Sequence, residues 1–174
     1  VSRSFGQLLS DRAPIEQALL RFVARAGEKL RREGGMAERL TVFARTDRIN
    51  PAKPCYSRRL SATLPWPTDY TPELIGPALR LFERIFKPGL TFQKCGVMLT
   101  NLVTADRAKR DLFEDRDPAR QLRLMRALDA LNGDYGARTI NFGNLGGPKP
   151  KALLRANFVS PRYTTSWNEL RVVR

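Results

Sequence analysis

The residues that could do chemistry are few, and they crowd into one stretch. From Ala108 to Pro118 the chain reads AKRDLFEDRDP, and seven of these eleven residues are ionisable. Asp111, Glu114, Asp115 and Asp117 form its carboxylate cluster, but arginines interleave them. That pattern suits solubility and helix capping better than a metal pair. The sequence has no histidine, which removes the usual general base. Its two cysteines, Cys55 and Cys95, are too far apart for a zinc spacing. They read as two buried thiols in a reducing compartment, with a disulfide as the alternative. The FGNLGG run from Phe142 lacks the Lys-Ser/Thr pair and the strand-loop-helix setting of a phosphate loop. No nucleophile–base pair is visible. These residues offer binding rather than catalysis, and no metal or cofactor is expected of them.

Within the same stretch, Leu112 and Phe113 are a large apolar pair among charges. Such a pair is either tucked onto its own domain or offered to another protein. Both readings stand on the residues alone.

The elements that must position these groups follow from length, charge and periodicity. A chain of 174 residues, 42% hydrophobic, can bury one generous core with an appendage. No apolar run approaches a membrane span, no secretory signal opens the chain, and a cytoplasmic setting is expected. Val1 begins inside a strand-like run, which reads as a piece of a longer chain. The net charge of +14 favours a polyanionic partner, usually nucleic acid, over an inert basic surface. Lys and Arg against Asp and Glu number 17 to 9 in residues 1–104, 7 to 7 in 105–137 and 7 to 1 in 138–174. Two basic blocks therefore flank a neutral, charge-dense segment holding DLFED.

VSRSFG is expected as a strand ending at Gly6. A helix follows: Pro14 suits its first turn, Ile15, Leu19, Phe22, Val23, Ala26 and Leu30 recur at helical spacing, and Gly34 and Gly35 stop it. RLTVFART alternates Leu40, Val42 and Ala44 against Thr41, Phe43 and Arg45 as a second strand. In the third, Leu60, Ala62 and Leu64 alternate against Arg59, Ser61 and Thr63. A second helix starts with Thr71 as its expected N-cap, tolerates Pro77 with a kink and stops at Pro88-Gly89. LTFQKCGVMLTNLV is the fourth strand. Asp117 should cap a third helix with a stripe of Leu122, Met125, Leu128 and Leu131, ending at Asn132-Gly133. Arg138 to Phe142 is expected as a further strand.

Strand, helix, strand, strand, helix, strand is an α+β pattern: a four-stranded sheet with two helices on one face. The other face should carry Arg45, Arg59, Ser61, Lys94, Gly96 and Thr100. Cations, hydroxyls and strand N–H groups all donate to phosphate oxygens, and Gly6 and Gly96 would let a phosphodiester chain approach the backbone. A plain solvated sheet face is the alternative.

VSRSFG, AGEKLRREG, FQKCGVMLTNLV, DLFED and SPRYTTSW with LRVV after it resemble, together, the C-terminal part of UmuC-type Y-family DNA polymerases. The resemblance covers essentially the full chain. It implies a little-finger (polymerase-associated) DNA-binding domain at residues 1–104, a linker with a sliding-clamp-binding peptide at 105–117, and the UmuC-type tail at 118–174. It also implies translesion synthesis in the SOS response to DNA damage. The little finger would hold primer–template duplex by its backbone without base specificity, since phosphate contacts carry no sequence information. By this likeness Ser2, Arg3 and Ser4 match the first strand's DNA-contact segment, and Gln93 and Lys94 stand where the family carries a basic pair, Gln93 departing from it. KRDLF stands where the family carries a clamp peptide of the form Gln-Leu-Ser/Asp-Leu-Phe. Leu112 and Phe113 match its terminal pair and Asp111 its middle position, while Lys109 and Arg110 replace the Gln and first Leu. The family's catalytic carboxylates and magnesium belong to a palm upstream of Val1, so this chain by itself should not polymerise DNA. Processed UmuD and the recombinase filament are the further partners that the likeness suggests. A stand-alone nucleic-acid-binding adaptor is the reading from another class; a palm with paired acidic motifs upstream would separate the two.

Overall fold

In the computed structural model, residues 1–47, 55–104, 117–136, 139–143 and 161 are described. Strand β1 (Ser2–Leu9), helix α1 (Arg12–Arg32), strands β2 (Gly35–Thr46) and β3 (Ser57–Thr68), helix α2 (Thr71–Ile85), strand β4 (Phe92–Thr104) and helix α3 (Pro118–Asp134) follow in chain order. The four strands form one antiparallel sheet in the order β1-β4-β2-β3, giving the expected α+β architecture. The strands run longer than their alternation suggested. β1 continues past Gly6 to Leu9, and β3 passes through Pro65 and Pro67. Prolines are tolerated there because β3 is an edge.

α1 forms because its apolar residues fall on one stripe: Ile15, Leu19 and Val23 are completely buried. Lys29, Arg31 and Arg32 complement the dipole in its last turn. Gly34 at φ +67° turns the chain into β2, a conformation glycine takes without steric cost. α2 presents Leu74, Ala78, Phe82 and Ile85, all fully buried, beside α1. Its N-cap is Tyr70, not Thr71. Thr71 lies inside the helix, 1% exposed, because its hydroxyl accepts a hydrogen bond from Arg31 Nη1 at 3.0 Å rather than capping an N–H. The helix ends at Ile85, before Pro88.

Between helices and sheet lies one core. Leu40, Val42, Ala44, Val97 and Cys95 fill it from the sheet side. Burial pushes the Cys95 thiol well above its usual range. Cys55, expected buried, is exposed at the start of the β3 edge, and both thiols are free. At one end Phe82, Phe86 and Phe92 stack in sequence, with centroids 5.8 and 5.7 Å apart, and Tyr56 meets Phe92 edge-on while donating to Ile85 O at 2.7 Å.

α3 starts as expected: the Asp117 carboxylate accepts from Arg120 N at 2.9 Å, and Pro118 follows. Its expected apolar stripe splits, since Met125 is buried while Leu122 and Leu131 are exposed. The reason is that polar anchors dock the helix. Asp129 binds Arg31 of α1, and Gln121 Nε2 donates to Glu73 Oε1 of α2 at 3.0 Å. The strand expected from Arg138 to Phe142 is absent over the described residues Thr139–Phe142. Asn132 instead clasps the Ile140 backbone through both of its amide atoms, folding the chain back on α3, and Phe142 packs against the main core. Among the described residues no helix is long and apolar enough to cross a membrane.

Candidate nucleic-acid interface

Strand register decides what the open face presents. Successive side chains of a strand point to opposite faces, so residues paired across strands share a face. Ser4, Lys94, Arg45 and Ser57 stand abreast across all four strands. Two residues along, Ser2, Gly96, Phe43 and Arg59 form the next row. Met98, Thr41 and Ser61 make a third, and Thr100, Arg39 and Thr63 a fourth. The intervening rows, such as Val97–Val42–Leu60, face the helices.

The open face thus carries cations and hydroxyls around Gly96, Phe43 and Met98, with no carboxylate in its four rows. Among the described residues neither Arg39, Arg45, Arg59 nor Lys94 has an ion-pair partner. Arg45 Nε is buried and has no hydrogen-bond partner among them. The Thr41 and Ser61 hydroxyls bond each other at 2.8 Å in the middle of the face. With strands ~4.8 Å apart, the first row spans roughly 14 Å; with ~3.4 Å per residue, the first and fourth rows lie about 20 Å apart.

Of the sequence-chosen residues, Ser2, Ser4, Arg45, Arg59, Ser61, Lys94 and Gly96 lie in these rows. Arg3 does not. It pairs with Cys95 at a helix-side position, exposed only because β1 is an edge. Gln93 is the extra residue of a bulge, since Arg45 pairs with Lys94 and Thr46 with Phe92. Gly96 is buried, and the room its missing side chain leaves is already filled. A Cβ there would lie 2.3 Å from Ser2 Cβ and 2.8 Å from the Phe43 ring. Its glycine therefore serves packing, which corrects the reading of an open path to the backbone. Gly6 is exposed on the edge strand. Lys109, Asp111, Leu112 and Phe113 lie outside the described residues. Phe43 and Thr63, placed by alternation opposite the core residues, join the face, whereas Arg39 and Ser57 were missed as members of it. The alternation of TVFART and SRRLSAT contained the signal, but only the pairing of β2 with both neighbours brings these residues abreast. No group of three or more potential metal ligands exists among the described residues.

The chain thus folds as a βαββαβ domain, with helices on one side of its sheet and cations among the residues of the other. Residues 1–112 match the impB/mucB/samB family C-terminal domain, and residues 122–173 match a domain of unknown function, DUF4113. The chain is 34% identical over 174 residues to protein UmuC of Salmonella typhimurium, covering 99% of this chain and 41% of that protein. It is 33% identical to protein MucB of Escherichia coli over 173 residues, 99% of this chain and 40% of the relative. It is 29% identical to DNA polymerase IV of Caulobacter vibrioides over 140 residues, 80% of this chain and 33% of that polymerase. The chain belongs to the impB/mucB/samB family of UmuC-type proteins. It spans about two fifths of the length of the UmuC and MucB relatives it matches.

Proposed function

We propose that this chain grips primer–template DNA through its phosphates, as the duplex-holding part of an error-prone translesion polymerase of the SOS DNA-damage response. The observation that supports this best is the four-row face, where Lys94, Arg45, Arg59 and Arg39 stand beside hydroxyls and have no ion-pair partner among the described residues. Two cationic stations are spaced along it. Lys94 and Arg45 with Ser4 and Ser57 form one; Arg39 with Thr100 and Thr63 forms the other. Their separation of about 20 Å is enough to bridge both backbones that border a major groove ~12 Å wide. Phosphate contacts hold the duplex without reading it, which suits a polymerase that must accept damaged bases.

On this reading the nucleotidyl-transfer carboxylates and their magnesium belong to a palm region upstream, and the chain alone does not extend primers. The DLF peptide supplies a tether to the sliding clamp. Leu112 and Phe113 serve as the anchors, Asp111 lies between them and the family's leading positions, and Lys109 and Arg110 weaken the contact. This part of the proposal rests on the sequence alone, as do processed UmuD, the recombinase filament and a cytoplasmic site of action.

The deciding measurement is a duplex titration at several salt concentrations. Lys94→Gln should weaken every duplex alike and lower the slope of log affinity against log salt by about one. A loss that depended strongly on base sequence would sink the phosphate-grip reading and favour a sequence-reading adaptor.

A further inference from the structure

The open sheet face has a middle unlike its two ends. Its end rows hold the cationic stations, Lys94 with Arg45 at one and Arg39 at the other. Between them lie Ser2, Gly96 and Phe43 in one row and Met98, Thr41 and Ser61 in the next, with Arg59 alone carrying charge, on the β3 edge. The Phe43 ring lies across Gly96 on this face, since a Cβ built on Gly96 would meet its ring carbons at 2.8 Å. Met98 is 37% exposed beside it. Thr41 is 4% exposed, and its hydroxyl and that of Ser61 are engaged with each other. Away from the β3 edge, the middle therefore offers a ring and a thioether where the ends offer cations.

We infer that this face selects B-form DNA and rejects the A-form duplex of RNA, an inference that rests on the phosphate-grip reading. The two stations stand about 20 Å apart along β2. In B-form DNA the major groove is ~12 Å wide and ~8.5 Å deep, whereas the minor groove is only ~6 Å wide. A duplex seated with its major groove toward the sheet brings a backbone to each station and keeps its base edges well below the rims. Phe43 and Met98 then span an open channel and strip no polar group of water. An A-form duplex has two ways to sit, and each meets an obstacle. Its major groove is deep but narrow, so the backbones that border it are too close together to serve both stations. Its minor groove is wide, but it is shallow and displays 2′-hydroxyls, which would be pressed onto Phe43 and Met98. A hydroxyl taken from water without a good partner is costly. The spacing of the cations excludes one seating and the apolar middle penalises the other.

The test uses the full 174-residue chain and two duplexes of one sequence, DNA and RNA, titrated by fluorescence anisotropy at a single salt concentration. The RNA duplex should bind about fivefold more weakly or worse. Arg39→Gln should narrow that ratio about threefold, because only the DNA reaches the second station. Met98→Ser should narrow it as well, by offering the 2′-hydroxyls a hydrogen-bonding partner in place of the thioether. Both side chains are exposed, so neither change disturbs the core. Basic stretches elsewhere in the chain act in parent and variant alike, so the change in the ratio reports the sheet face. The inference is overturned if the RNA duplex binds less than about fivefold more weakly than the DNA, or if either variant leaves the ratio where it was. Lys94→Gln separates the two readings. If it leaves the salt slope for DNA unchanged, the phosphate grip falls and this inference with it. If it lowers that slope while DNA and RNA duplexes bind alike, only this inference falls.

Discussion

Arg31 of α1 and Asp129 of α3 meet in a two-pronged ion pair, Nε to Oδ2 at 2.7 Å and Nη2 to Oδ1 at 2.9 Å. Arg31 is almost fully used: its Nη1 also donates to Asp69 O at 2.7 Å and to Thr71 Oγ1 at 3.0 Å. One guanidinium thus joins the end of α1, the start of α2 and the middle of α3. Its side chain is only 7% exposed, whereas that of Asp129 is 27% exposed. Removing one partner of a buried pair leaves the other charge stranded, typically a loss of 3–5 kcal/mol, and the partly wet Asp129 brings the expectation down to about 2–3 kcal/mol. Asp129→Ala should therefore lower denaturant stability by that amount. Arg31→Lys should lower it as well, because an ammonium cannot supply the two-pronged geometry. A double-mutant cycle with near-zero coupling would show that the pair holds nothing.

Asp69 beside this junction gives a pH dependence. Its carboxyl is raised above the usual range, first by burial and against the pull of Arg31, with Asp129 and Glu73 pushing the same way as burial. The folded protein thus holds this proton more tightly than the unfolded chain. That contribution to stability is complete below the unfolded pKa and is lost as pH rises through the raised folded value. Asp69→Asn removes the charge penalty and keeps the backbone carbonyl that Arg31 uses. Melting curves should show the variant gaining on the parent at pH 7, with the gain shrinking as pH falls toward the ordinary carboxylate range.

At Gly96 a methyl group has nowhere to go. It would press on Ser2 Cβ of β1 and on the Phe43 ring of β2 at once. Gly96→Ala should cost roughly 1–3 kcal/mol by overpacking. Truncating Phe43 should recover only part of this, since the 2.3 Å approach to Ser2 Cβ remains. Urea denaturation of the single and double variants measures both effects.

The register also separates arginines that look equivalent in sequence. Arg39, Arg45 and Arg59 lie in the open rows; Arg58, paired with Ala44, and Arg3 take helix-side positions on the edges. Arg39→Gln, Arg45→Gln and Arg59→Gln should each lower the salt slope of duplex binding by about one. Arg3→Gln and Arg58→Gln should change it by much less. Equal effects at all five positions would mean that net charge alone, rather than this face, binds DNA.

For the clamp tether, Leu112→Ala with Phe113→Ala should abolish binding to the sliding clamp, since anchors seated in pockets carry ~2 kcal/mol or more each. Replacing Lys109 and Arg110 by Gln and Leu should tighten it. A clamp titration that responds to neither change removes the tether from the proposal.

How much of this was legible in the chain depends on the range of the forces involved. Alternation in TVFART and helical spacing from Ile15 to Leu30 record local burial, residue by residue, and they determined both elements and the helix-covered sheet. The Asp117 cap was equally readable, because the bond it makes reaches only to Arg120 N. Net charge, a sum over composition, pointed to a polyanion without any fold. Tertiary structure alone decided the rest. Thr71 was expected to cap α2 because its type suits that role, but Arg31, forty residues away, claimed its hydroxyl. The α3 leucines were expected to be buried together, but Asp129 and Gln121 oriented the helix by polar contacts with α1 and α2 and left a stripe outside. Arg39 joined the candidate DNA face, and Arg3 left it, through cross-strand register. That register is set by pairing between residues such as Ser4 and Lys94, ninety residues apart. Local sequence fixes which side of its own strand a residue takes; only strand pairing determines which residues stand beside it.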